Sequence, residues 1–274
     1  ASSGELKYRD MVKPAIDSIA ALGTEAVPLL VDKFTTKSAR ERHTIINILK
    51  EIGSAAVPSL VAALNRPSGL VVQRVCWALG DIGDTAAVTP LIEQRTHSRW
   101  QVREQVMDAL GDIADKRGSA VAQQALRDSI GQVRKAAAVA CGKIGVDESI
   151  EELVHALSDA FYGARMSAVN SLLSLDTAVV LAALSDSLPS SSAGMGNLAC
   201  YVLGQIGSDE AIELLRVQTS SPDPERRAHA SVALVAADPL DNCGYRESIL
   251  AAESDRLVRL KIESAVHQAA QQDM

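Results

Sequence analysis

The sequence predicts an all-helical fold, a right-handed superhelical α-solenoid of about nine stacked helix hairpins, and three observations carry that prediction. A thirteen-position pattern, seen most clearly in VRKAAAVACGKIG from Val133 to Gly145, returns along the whole chain. Its last position falls at Gly23, Gly53, Gly83, Ala114, Gly145, Asp176, Gly207, Asp238 and Ala270, in steps of about 31 residues, a period typical of solenoids. Within each copy positions 1, 5, 8, 9 and 12 are mostly apolar or small, as with Val102, Val106, Ala109, Leu110 and Ile113. Those offsets lie on one face of a helix. Hydrophobic residues are 47% of the chain and aromatics only 3%, so Ala, Leu, Val and Ile must fill a seam between closely stacked helices.

A second apolar run separates successive copies, such as AAVPSLVAAL after Gly53, so each unit is expected to be a pair of antiparallel helices that cannot bury its stripes alone. The 274 residues then form one elongated array, 1–274, rather than two conventional domains. The first helix is expected from about Glu5 to Leu22, with Pro14 marking a kink or a late start. Gly23 with Thr24, Gly53 with Ser54, Gly83 with Asp84 and Gly207 with Ser208 read as stop-and-cap pairs. Asp115 and Thr177 hold the cap position without the glycine. Pro28, Pro58 and Pro90 fall early in the following helices, where a missing N–H does least harm.

The rhythm breaks twice. SLPSSSAGMG, residues 187–196, reads as a surface loop and the weakest joint of the array, with a hinge as the alternative. AADPLDNCGYRE replaces the tight cap by a longer turn before a helix around Ser248 to Ala252. The last copy, VRLKIESAVHQAA, ends in the polar cap Gln268, Gln271, Gln272 and Asp273.

A formal charge of −7 and a pI near 5.3 argue against general nucleic-acid binding or attraction to anionic membranes. No apolar run is expected to reach the roughly 20 residues needed to cross a bilayer, so no membrane insertion is expected. Cys76, Cys141 and Cys200 recur on motif helices too far apart for disulfides. Free thiols favour a reducing, cytoplasmic location, although an export signal removed before Ala1 would leave no trace.

Position 2 is Arg42, Arg103, Arg134, Arg165, Arg227 and Arg259, interrupted at Val72 and Gly196. This row is read as structural, each guanidinium meeting turn acids or carbonyls, as Asp128 before Arg134 and Asp159 before Arg165 suggest. An anion-binding row is the alternative. With its glycine and capped partner helix, the pattern VRxxAxxALGxIG resembles the HEAT repeat in its short, phycobilisome-lyase-like form, over nearly the whole chain. That resemblance implies that the motif helices line the concave side. It also admits scaffolds, adaptors, bilin lyase subunits, a dimetal hydroxylase and DNA-repair glycosylases.

His43, His97, His155, His229 and His267 are scattered without metal-ligand spacing, and the His-Glu steps that the dimetal hydroxylase would require are absent. No nucleophile elbow, Walker glycine loop or dinucleotide fingerprint occurs. No catalytic residue, metal or cofactor is therefore expected. Asp81, Asp84, Asp108, Asp112 and Asp115 are near one another in sequence; two are assigned to caps and the rest to exposed positions, with a basic partner segment as their functional reading.

The outward positions remain. Position 7 reads Asp17, Asn47, Trp77, Asp108, Val139, Asn170, Tyr201, Val232 and Ser264, with Trp77 and Tyr201 as aromatic contact anchors about 30–40 Å apart at roughly 8–10 Å per layer. His43, Lys135 and Met166 flank that row at position 3. Position 10 supplies Gly80, Gly111, Gly142 and Gly204, which either leave room in a groove or permit close helix contact. The expected function is a non-enzymatic scaffold or adaptor whose concave face holds a protein or peptide partner, an amphipathic helix or an extended segment. A bilin lyase subunit or chromophore-handling protein is the alternative. A HEAT-type DNA glycosylase ranks lower, because Lys13, Lys50 and Lys135 alternate with Asp17, Glu104 and Asp108 instead of forming a basic stripe.

Overall fold

In the computed structural model, residues 9–237 and 244–272 are described, and no strand occurs among them. The chain divides into two compact units, Ala1–Ile144 and Gly145–Met274. In the first it forms α1 (Arg9–Ala20), α2 (Val27–Asp32), α3 (Ala39–Ile52), α4 (Val57–Ala63), α5 (Gly69–Ile82), α6 (Val88–Glu93), α7 (Trp100–Ile113), α8 (Ser119–Ala125) and α9 (Gly131–Ile144). In the second it forms α10 (Ile150–Ala156), α11 (Tyr162–Leu172), α12 (Thr177–Ser187), α13 (Ala193–Ile206), α14 (Asp209–Gln218), α15 (Pro224–Ala237), α16 (Tyr245–Ala252) and α17 (Arg256–Gln272). Odd-numbered helices carry the repeated motif and even-numbered helices are their partners.

Each unit has two helical layers. In the first, α1, α3, α5, α7 and α9 pack in sequence, and α2 packs beside α4. In the second, α13, α15 and α17 form the motif layer, while α10 packs on α12 and α12 on α14. The stripe buried between layers is the one the offsets mark: Val102, Val106, Ala109 and Leu110 in one copy and Val133, Ala137, Ala140 and Ile144 in the next are all buried, while Lys135 is exposed. Each such valine, leucine or isoleucine removed from water contributes about 1.5–3 kcal/mol, and each alanine methyl about 0.8 kcal/mol.

The motif helices end as their thirteenth residue demands. Gly83 and Gly207 turn left-handed at φ +74° and +61°, and their N–H groups donate to Leu79 and Leu203. Ala114 takes the same conformation at φ 55°, where an L side chain is strained. The partner helices are shorter than expected. From α2 to α10 they hold six or seven residues, each entered through a 3-10 turn.

That turn corrects two of the expected caps. Thr24 and Ser54 lie inside it and cap nothing, and Ser54 instead bonds Asp84, whose carboxyl is held below the ordinary range. Asp84, Asp115 and Ser208 do cap, accepting from Ala86, Arg117 and Ala211. Ahead of α12 the cap is Asp176, accepting from Ala178 and Val179, and Thr177 is already helical.

Two further expectations change, those for residues 187–196 and for the length of the apolar runs. Residues 187–196 are not an open loop: α12 continues into a 3-10 turn at Leu188–Ser190, Leu188 is buried, and α13 starts at Ala193 with Gly194 and Gly196 inside it. The longer turn at 236–247 lies partly outside the described residues, but its following helix is present as α16. The helical stretch Ala39–Ala63, 25 residues long, contains an 18-residue window of mean hydropathy 1.4 and so does reach the length and composition of a membrane span. Gly53 interrupts it at φ +68°, and Ile45, Ile46, Leu49, Val57 and Leu60 are buried within the helical layers. Its hydropathy is therefore accounted for by core packing.

Candidate interaction surface

The spacing of the motif layer follows from two small residues. A Cβ on Gly80 would stand 2.8 Å from the Cα of Ala109; one on Gly111 would stand 3.0 Å from that of Ala140; one on Gly204 would meet the Cβ of Ala233 at 2.9 Å. In each case a position-10 glycine abuts the position-8 alanine of the next copy. Close helix contact, not an open groove, is thus what these glycines provide. Where position 10 is Leu173 and position 8 of the next copy is Val202, α11 and α13 meet over much less of their length.

In the first unit this close packing brings the outward positions of neighbouring helices into contact. His43 meets Trp77 edge to face, ring centroids 5.0 Å apart and planes at 88°, so the indole is half-buried, while Asn47 is exposed. On α7, Glu104, Asp108 and Asp112 stand one turn apart, opposite Lys135 and Lys143 of α9. Lys143 donates to Asp112 at 2.7 Å. Asp108 is not the exposed carboxylate expected of position 7. Burial, then the neighbouring charges of Glu104 and Asp112, push its pKa up to about 6 against the opposing pull of Lys143 and Lys135. Glu104 is also raised by burial, with Lys135 opposing.

In the second unit Met166 is half-buried on α11, Asn170 is exposed one turn later, and Tyr201 on α13 is 47% exposed. Trp77 and Tyr201 therefore belong to different compact units. Further along the second unit's motif layer, α15 and α17 part to leave an apolar groove of about 640 Å³. Its floor comes from outward positions of the last two copies, Ala228 and Leu260 at position 3 and Val232 and Ser264 at position 7, with Glu225, Asp255 and Lys261 at the rim. Leu257 and Leu260 remain 71% and 51% exposed. Position 3 is otherwise mostly polar, so Leu260 there was the available sequence signal for this groove.

The arginine row turns away from this surface, toward the inter-helix turns. Arg103, Arg134, Arg165 and Arg227 each donate from Nη1 to the carbonyl six residues back, those of His97, Asp128, Asp159 and Ser221, at 2.7–3.0 Å. Arg42 donates from Nη1 to the Lys37 carbonyl, five residues back, at 3.1 Å. The acid partner differs from that expected. Asp128 gives its carboxylate to Arg103 of the preceding copy, at 2.7 and 2.9 Å, and Glu253 likewise receives Arg227. Each guanidinium thereby joins its own turn to the next. Arg259 forms an exposed pair with Glu263.

At the two interruptions another arginine serves. Arg74 donates to the carbonyls of Phe34 and Thr36. Arg226 reaches back from α15 to the carbonyls of Leu188 and Ser191, occupying space that a side chain at Gly196 would fill.

Among the described residues no group of three His, Cys, Asp or Glu side chains is placed to hold a metal ion. Cys76, Cys141 and Cys200 are buried thiols, and burial pushes Cys76 and Cys200 up to about 12, where little nucleophilic thiolate exists.

A family model for HEAT repeats matches residues 27–111, 57–139, 89–172 and 119–195. No curated protein is significantly similar. Among solved structures, Escherichia coli YibA is similar at TM-score 0.54 and 14% identity, over 97% of this chain and 98% of that one. Human deoxyhypusine hydroxylase in complex with glycerol is 22% identical over 97% and 99% of the two chains, at TM-score 0.38. A designed armadillo repeat protein is 21% identical over 66% and 99%, at 0.43. The YibA likeness is one of fold alone, and the other two add no argument to it.

Proposed function

The chain belongs to the HEAT-repeat family, and on that premise we propose that it is a non-enzymatic scaffold that holds a protein or peptide segment on the outward face of its motif helices. The observation that carries this reading is the apolar groove between α15 and α17, where Leu260 is 51% exposed beside half-buried Val232 and above buried Ala228, at a position that is polar in most other copies. A partner helix laying one apolar stripe into such a groove is a recurrent recognition mode. Tyr201, two motif helices before α17 and exposed, supplies an aromatic anchor in the same row. Within the first unit the motif helices present the His43–Trp77 pair, Asn47 and the acid–lysine ladder from Glu104 to Lys143, a mostly polar surface of its own.

The test is calorimetry with a peptide selected by display against the full chain. Leu260→Asp and Tyr201→Ala should each weaken binding by about 1–4 kcal/mol while circular dichroism and melting stay close to wild type. Wild-type affinity in both variants would remove the site from this face. A tetrapyrrole absorbance copurifying with the chain would favour the bilin-handling form of the family instead, and retention on DNA at low salt the glycosylase form.

A further inference from the structure

The partner layer of the second unit carries a different surface. Helix α12 is apolar all round; from 177 to 190 its sequence and following turn hold one charge, Asp186. Helices patterned in that way are ordinarily buried on every side. Here only Val180, Leu181 and Leu184 are buried within the helix, while Ala178, Val179, Ala182 and Ser185 face solvent. Beside it α14 stands off enough to leave a groove of about 540 Å³, floored by Leu181, Ala182, Leu214 and Val217. Val217 is 68% exposed.

The charges around this groove have one sign. Asp209, Glu210 and Glu213 line it, and no lysine, arginine or histidine does. The nearest cation on α14, Arg216, bonds Glu213 at 2.9 Å and lays its guanidinium 4.2 Å over the Tyr245 ring, toward α16. Glu213 is thereby partly neutralised, leaving Asp209 and Glu210 to set the potential of the rim. We propose that the groove between α12 and α14 receives a cationic amphipathic helix of a partner protein, its apolar stripe on Leu181, Ala182, Leu214 and Val217 and its basic flank against Asp209 and Glu210. Charge complementarity of this kind steers encounter and sets register. A second copy of this chain fits less well, because the same patch meeting itself across a twofold would set acids against acids.

The probe is a fluorescein-labelled 18-residue helix with leucines along one face and lysines elsewhere, titrated against the full chain by anisotropy. A companion peptide carries glutamate in place of lysine. The lysine peptide should bind saturably and more weakly as salt rises, and the glutamate peptide should not bind. Val217→Asp and Ala182→Glu change exposed residues, so the fold should survive, as circular dichroism will verify. Each should weaken the lysine peptide at least tenfold.

The sign of that effect is the discriminator. Both variants make an already acidic protein more acidic, so non-specific attraction would leave binding unchanged or tighten it, and either result overturns the proposal. So does binding lost in Leu260→Asp but kept in Val217→Asp, which would seat the peptide between α15 and α17 and leave the scaffold reading intact. A dimer seen by sedimentation that Val217→Asp dissociates would make a second copy the occupant and also overturn it.

Discussion

Gly80 lies with its backbone against Ala109, so close that a Cβ built on the glycine would be 2.8 Å from the alanine Cα. The same step recurs from Gly111 to Ala140 and from Gly204 to Ala233. These contacts set how near successive motif helices come, and with that how deeply their outward side chains are shielded.

Gly80→Ala should therefore destabilise the protein by about 1–3 kcal/mol through overpacking, although alanine is the better helix former by about 1 kcal/mol. Gly194 is the control. It also sits in a motif helix, but a Cβ there would meet nothing within 4 Å, so Gly194→Ala should be neutral or stabilising by up to about 1 kcal/mol. Denaturant midpoints compare the two directly; equal effects would show that the close approach is not what limits Gly80.

Ala114 is the non-glycine residue with positive φ among the described residues. Replacing it by glycine relieves the Cβ crowding of the left-handed conformation and returns part of that gain as unfolded-state entropy. Ala114→Gly should raise stability by about 0.5–1 kcal/mol, read as a higher melting temperature. A lower one would mean that the methyl group is needed at that turn.

Asp108 supplies a pH signature. Its folded carboxyl keeps a proton to about pH 6, whereas the reference value is 3.8. The folded state then binds more protons between those values, and stability falls as pH rises from about 4 to 6. Asp108→Asn abolishes that dependence. The variant should match wild type near pH 4 and exceed it by about 1–2 kcal/mol above pH 7, a figure reduced for partial solvent screening. Melting curves across that range decide it.

The Arg103–Asp128 pair behaves in the opposite sense. Burial disfavours the Asp128 carboxylate, but hydrogen bonds from Arg103 and the Ile130 N–H outweigh it and lower the pKa. Its contribution is present above the ordinary carboxylate range near 3.9 and is lost as pH falls below it. Asp128→Asn should cost about 2–3 kcal/mol at pH 7, and the gap to wild type should shrink as pH falls below 4. A gap independent of pH would assign the loss to geometry rather than charge.

What the sequence determined by itself was the repeat. Positions such as Val133, Ala137, Ala140 and Ile144 declare a buried helical stripe because a 3.6-residue period is a local property, visible without neighbours. The left-handed stop at position 13 was legible for the same reason. Caps were partly legible: Asp84, Asp115 and Ser208 have the oxygen and the place, but only the structure shows Thr24 and Ser54 inside 3-10 turns. The tertiary structure alone decided what depends on distances between helices: that Gly80 is a contact and not a gap, that Asp108 is shielded, and that Asp128 belongs to Arg103 across 25 residues. The grooves are of the same kind. Leu260 and Val217 belong in sequence to ordinary repeat helices; they become surfaces because α17 stands off from α15, and α14 from α12, a separation set by packing between helices that no single repeat encodes.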